Sequence, residues 1–282
     1  GNTQIVAEEM FDSGYIYELI FPSRNPYITG IGMAIIRDVV GYAKFNSNSP
    51  FKFDKSIAFG QGQSGRFLRH FVYQGFNVTE DGRRAIDGLM IHGAGAGRGS
   101  FNHRFAQPAR GAQDFESFFF PTDLYPFTVT PQQHPLLNLN EGLLDNTPQG
   151  AIPKIFYTHN GYDYWNRAAA LTHIDLQMSK DVALNDNERI YHLSSAQGYH
   201  GSYDLMSSQP QNDQQYRGSM LDYRYYLKSL LTKMSDWVKE GKTPPASVYP
   251  TIKDETLITL NQYKQTLPSD NQYIPTPHTV VM

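Results

Sequence analysis

The chain has 282 residues, 40% of them hydrophobic and 18% charged, with a formal net charge of −3. Its 17 Phe, 19 Tyr and 2 Trp exclude a solvated coil. The lack of a basic excess argues against a nucleic-acid partner, and no apolar run reaches the roughly 18 residues of a membrane-spanning helix. Zero Cys removes disulfides, thiolate metal sites and cysteine nucleophiles together, without fixing the compartment. The chain starts at Gly1 with no signal-like apolar segment after it, which reads as a processed chain or a fragment.

In chain order, β-rich runs precede helical ones, the pattern of a mostly parallel sheet with helices packed on it. Tyr15 to Phe21 reads as a strand stopped by Pro22. Ile31, Ile35, Val39 and Tyr42 fall at helical spacing, so residues 30–44 form an amphipathic helix. Ser56 to Phe59 is a short buried strand. Phe67, Leu68, Phe71 and Val72 give the next helix its apolar face, and Gly75 stops it. Ile86 to Ile91, Lys154 to Thr158 and Arg189 to Leu193 are further strands. Met220 to Val238 is a long helix with Leu227, Leu230, Leu231, Met234 and Trp237 on its buried side, ended by Gly241, Pro244 and Pro245. Two stretches depart from the alternation. Residues 93–150 are rich in Phe, Pro, Asn and Gln, and a connection that long reads as a lid or binding loop. Residues 251–282 read as a C-terminal extension. Asn77-Val78-Thr79 matches a glycosylation acceptor, a triplet frequent by chance.

Chemistry concentrates between Ser56 and Arg69. A buried strand runs through Gly60-Gln61-Gly62-Gln63-Ser64-Gly65 straight into an amphipathic helix, the strand–turn–helix context of a nucleophile elbow. On such a turn a serine hydroxyl projects from the sheet edge, and glycines let strand and helix approach closely. The helix N-terminus then offers backbone N–H groups to an oxyanion, that of Gly65 among them. Gly62, Gln63 and Ser64 fit G-x-S-x-G, but Arg66 stands at the last position and must turn outward or pair with a carboxylate. The competing reading is that Ser64 caps the helix. A nucleophilic serine needs a base and an orienting acid, in the order Ser, acid, His on sheets of this kind. Asp163 follows the strand 154–158 and His200 the strand 189–193, each where open α/β sheets place their sites. His159, Asp123, His92 and Ser100 are weaker rivals. Gly93 to Gly99 fits neither phosphate-loop pattern, and the histidines (His103, His159, His173, His192 and His200) lack metal-ligand spacing, so neither a cofactor nor a metal is expected.

At these residues the chain resembles the α/β-hydrolase domain family labelled Abhydrolase-10. The resemblance lies in Gly30–Asp38, Gly62–Arg69, Tyr73–Asn77, Gly93–Pro108, Phe120–Phe127, Lys154–Thr158 and Tyr164-Trp165, spread over about residues 10–250. It implies an α/β-hydrolase fold over 1–250, with the insertion at 93–150, and serine-hydrolase chemistry. Carried over, Ser64 is the expected nucleophile, His200 the base and Asp163 the acid, where the family often has Glu. A second oxyanion donor is expected from a loop after an early strand.

The expected activity is hydrolysis of a small-molecule carboxylic ester through an acyl-enzyme, with Ser64, His200 and Asp163 catalytic. Gly65, Gln63, Arg98 and His103 are the oxyanion and substrate-binding candidates. Phe115, Phe118, Phe119, Phe120, Tyr125 and Phe127 would line the acyl pocket, and Arg98, Arg104 and Arg110 would meet an acidic substrate group. The alternatives are an amidase or peptidase on the same triad and a non-catalytic hydrolase-like binding protein. The sequence indicates no oligomeric state.

Overall fold

The computed structural model describes residues 22, 24, 30–99, 101, 123–201, 219 and 221–268. The strand expected at 15–21 lies outside them. The strands are β1 (Ile57–Gln61), β2 (Gly88–His92), β3 (Gln132–Gln133), β4 (Asn140–Glu141), β5 (Lys154–Asn160) and β6 (Glu188–Leu193). The helices are α1 (Gly32–Phe45), α2 (Gln63–Tyr73), α3 (Gly161–Asn166), α4 (Arg224–Glu240) and α5 (Leu260–Gln265). Among the described residues four strands form one sheet in the order β1-β2-β5-β6, every neighbouring pair parallel. β3 and β4 make a separate antiparallel hairpin within the 93–150 stretch.

The alternation of side chains along each strand sorts the core into two layers. Leu89, Ile91, Ile155, Tyr157 and Ile190 face α2, where they pack with Leu68, Phe71 and Val72. Met90, Phe156 and Tyr191 face the other way, onto Met234 and Trp237 of α4. Both faces are covered, so the central strands read as nearly continuous apolar runs. A fully buried side chain such as Phe71 or Leu89 contributes about 1.5–3 kcal/mol. The sheet's N-terminal edge is pinned by Asp87, which accepts from Lys44 Nζ at 2.5 Å and from the Ser56 N–H at 3.0 Å, with both charged side chains buried.

Several elements differ from their sequence reading. The stripe Ile31, Ile35, Val39 and Tyr42 on α1 is about half exposed, whereas Met33 and Gly41 form its buried side. On α4, Leu231 is likewise exposed, and the helix is anchored by Met234 and Trp237. Helical spacing finds a stripe but does not say what covers it. Gly75 and Gly241 end α2 and α4 as expected, both at positive φ. The side chain of Asn77 is fully buried and donates to the Ile86 and Ala151 carbonyls, which leaves no room for a glycan.

Candidate active site

β1, β2, β5 and β6 end together at the C-terminal edge of the sheet, and the segments leaving them bring the candidate residues to one side of the molecule. β1 passes into α2 through one residue, Gly62, whose φ of 57° and ψ of −115° would strain any residue with a side chain. Its N–H donates to the His92 carbonyl at 2.8 Å, tying the turn to the end of β2. Gly60 must also lack a side chain: a Cβ there would lie 2.5 Å from the Ser64 carbonyl oxygen and 2.8 Å from the Gly65 nitrogen. Gly65 packs against Ala94, whose Cβ would be 3.0 Å from a Cβ placed at Gly65.

These contacts correct the expected frame of the elbow. The sequence reading puts Ser64 on the tight turn, but the residue in the strained conformation is Gly62. The elbow therefore reads Gly60-Gln61-Gly62-Gln63-Ser64, with glycine where the nucleophile sits in G-x-S-x-G. Ser64 is the second residue of α2. Its exposed hydroxyl accepts from the Gln61 N–H at 2.8 Å and donates to the Gln61 carbonyl at 2.9 Å. Because the Gly62 N–H faces β2, strand alternation turns the Gln61 peptide groups to the opposite flank of β1, and the Ser64 hydroxyl with them. The N–H that follows the elbow residue is that of Gln63, not Gly65. Gly65 is buried and serves close packing between helix and strand.

Asp163 lies in the first turn of α3, directly after β5. It forms a capping box: its Oδ2 accepts from the Asn160 N–H at 2.8 Å, and Asn160 Oδ1 accepts from the Asp163 N–H at 3.1 Å. Its carboxylate approaches Gly93, where a Cβ would lie 3.8 Å from Oδ1 and 3.9 Å from the Gly62 nitrogen. The small residue at 93 thus lets acid and elbow come close. Burial pushes the Asp163 carboxyl up to about 7, against the backbone hydrogen bond and the charges of Arg167 and Arg66.

His200 follows β6 and is exposed. Its Nδ1 lies 3.2 Å from the Gly201 carbonyl, and its ring stands 6.4 Å from that of Tyr223. Among the described residues it makes no hydrogen bond to Asp163 or Ser64, so the three expected catalytic groups follow the parallel strands β1, β5 and β6 without forming a bonded line. Tyr223 links the parts. Its ring is 5.0 Å from that of His92, and its hydroxyl donates to the Gly198 carbonyl. Burial, then the charge of Asp163, pushes it up to about 12. His92 pairs with Thr158 at 2.8 Å and is pushed down to about 4 by burial.

Arg66 does not turn outward. It is 4% exposed, and its Nε and Nη1 are buried without a hydrogen-bond partner. Burial and then the charge of Arg167 push it down to about 10, while Asp123, Asp163 and Tyr162 pull it back up. Arg98, the expected substrate residue, is instead a brace. It donates from Nε to the Leu124 carbonyl at 3.1 Å and from Nη2 to that of Tyr125, and its guanidinium lies over the Tyr73 ring. Phe127 packs in the core with Leu171, Ile174 and Leu176 rather than lining a pocket. His159 belongs to β5 itself, fully buried, rather than to the loop after it. His103, Arg104, Arg110, Ser100 and Phe115 to Phe120 lie outside the described residues. Among the described residues no cluster of His, Asp or Glu is arranged to hold a metal, and no helix is long and apolar enough to cross a membrane.

Sequence reasoning missed Gly62, Arg66 and Tyr223. The signal for Gly62 was present, since Gly60 and Gly62 satisfy the two-residue spacing as well as Gly62 and Ser64 do. Nothing in the sequence pattern marked Tyr223.

A parallel sheet covered on both faces, with a glycine-assisted elbow, an acid and a histidine after successive strands, defines an α/β protein of the hydrolase type. A family model described as "Alpha/beta hydrolase domain" matches residues 11–270. The chain belongs to this family, Abhydrolase_10, and the membership supports a hydrolase. Neither the curated proteins nor the solved structures compared with the chain gave a match.

Proposed function

We propose that this chain keeps the hydrolase family's site for a carboxylic ester but does not form an acyl-enzyme at its elbow. The observation that carries this reading is the glycine at position 62. The turn that projects a nucleophile carries no side chain, and the nearest hydroxyl, that of Ser64, is engaged with Gln61 on the far flank of β1. An ester placed over the elbow would meet the Gln63 N–H and the positive end of α2, with no atom at Gly62 to attack its acyl carbon.

A second reading is a serine ester hydrolase working through Ser64, His200 and Asp163. It is favoured by the exposure of the Ser64 hydroxyl and by the family's hydrolase character. In it Ser64 attacks the acyl carbon, His200 takes the proton and returns it to the leaving group, and Asp163 orients the imidazole. Amide or peptide hydrolysis would use the same triad and stands or falls with it. A fluorophosphonate probe separates the readings. An unlabelled wild-type chain that still binds esters supports the first. Labelling that disappears in Ser64→Ala establishes the second and overturns the first.

A further inference from the structure

Several buried polar atoms around this site have no hydrogen-bond partner, among them His92 Nε2 and Asn160 Nδ2, and the guanidinium of Arg66 contributes two of them. Native proteins rarely bury a charged donor without an acceptor, because the desolvation penalty is then uncompensated. Arg66 is 4% exposed, and both Nε and Nη1 are buried with no partner. Its position says where those donors point. It is the fourth residue of α2, with its N–H bonded to the Gly62 carbonyl at 3.0 Å. Helical side chains lean toward the N-terminus, so the Arg66 side chain leans back over the elbow. The charges it senses are Arg167, Asp123, Asp163 and Tyr162, two of them on α3 and Arg167 just past its end. Four independent features therefore converge: an unpaired buried cation, the positive end of an 11-residue helix, a second arginine nearby, and an elbow with no side chain to fill the space.

We infer that Arg66 recognises an anionic ligand at the elbow, and that this ligand is a carboxylate: a carboxylic acid, or an ester bearing a second carboxyl group. A planar carboxylate matches the donor fork of a guanidinium. The assignment rests on the reading that no acyl-enzyme forms at position 62, since a side chain there would contest the same space.

The test is calorimetric titration of the wild-type chain with acetate and phenylacetate against acetamide and phenylacetamide, at pH 6 in low chloride. The expected result is carboxylate binding at least about tenfold tighter than the matched amide, the scale of a charge-assisted hydrogen bond. Arg66→Gln should abolish that preference, and Arg66→Lys should retain part of it. Equal affinity for acid and amide, no binding of either, or a preference that survives Arg66→Gln would overturn the inference. If Arg66→Gln does not fold, the wild-type comparison and Arg66→Lys decide alone. Failure of the underlying reading shows differently, as fluorophosphonate labelling of the wild type, whatever the carboxylate preference proves to be.

Discussion

Replacing Gly62 with serine puts a hydroxyl on the strained turn between β1 and α2. Two terms set the cost. A Cβ at position 62 meets nothing within 4 Å, so no collision is involved. The backbone term remains, because a φ of 57° with a ψ of −115° is rarely adopted by residues other than glycine. Holding a side-chain-bearing residue in such a region costs about 1–3 kcal/mol. For a chain of this size each kcal/mol lowers the melting temperature by roughly 2–4 °C, so Gly62→Ser should melt about 2–12 °C below the wild type and remain folded at 25 °C. The chemical gain should be larger than the loss. An elbow serine next to a helix N-terminus should raise fluorophosphonate labelling by on the order of 100-fold, with mass spectrometry locating the adduct at position 62. Ser64→Ala in the same background should leave the labelling intact. A folded Gly62→Ser chain that labels no better than the wild type would refute the assignment of the elbow, as would an adduct on Ser64 in either protein.

Three further outcomes follow from the packing. Gly60→Ala drives a Cβ to 2.5 Å from backbone at Ser64 and should cost about 3 kcal/mol in urea unfolding, whereas Gly150→Ala, with nothing within 4 Å, should change stability by less than about 0.5 kcal/mol. Asp87→Ala leaves the buried Lys44 with the Arg84 and Ala85 carbonyls but no counter-charge and should cost about 3–5 kcal/mol, and equal stability of variant and wild type would show that the pair is solvated. Stability should also fall on acidification from about pH 6.5 to 4. Burial depresses His92, His159, His173 and His192, so the unfolded chain takes up protons that the folded chain refuses. Asp163 and Glu188, both raised to about 7, act in the opposite sense: folding favours their protonated forms, and their contribution is lost as pH rises through about 4 to 7. Four depressed histidines against two raised carboxyls leave a net loss of stability on acidification, and His173→Phe should make it shallower without removing it. Stability that rises on acidification over this window would contradict the balance.

The amino-acid sequence by itself determined the layered plan of this protein. The runs read as strands at 56–59, 86–91, 154–158 and 189–193 fall on β1, β2, β5 and β6, with β1 only half-buried and its Phe59 exposed, and the stripe of α2 fits the helix that covers the sheet. That much is local, because side-chain period and glycine stops act within a few residues. The order of acid and histidine after their own strands was legible for the same reason. The occupant of the elbow was not. Gly60, Gly62, Ser64 and Gly65 allow two frames that differ by two residues and keep the same alternation. Only the turn's dihedral angles, and the N–H that ties Gly62 to His92, choose between them. The fates of Arg66 and of the α1 stripe were likewise decided at the tertiary level. Whether a long polar side chain is buried, or an apolar stripe covered, depends on segments far away in the chain, and no local spacing records where those segments pack.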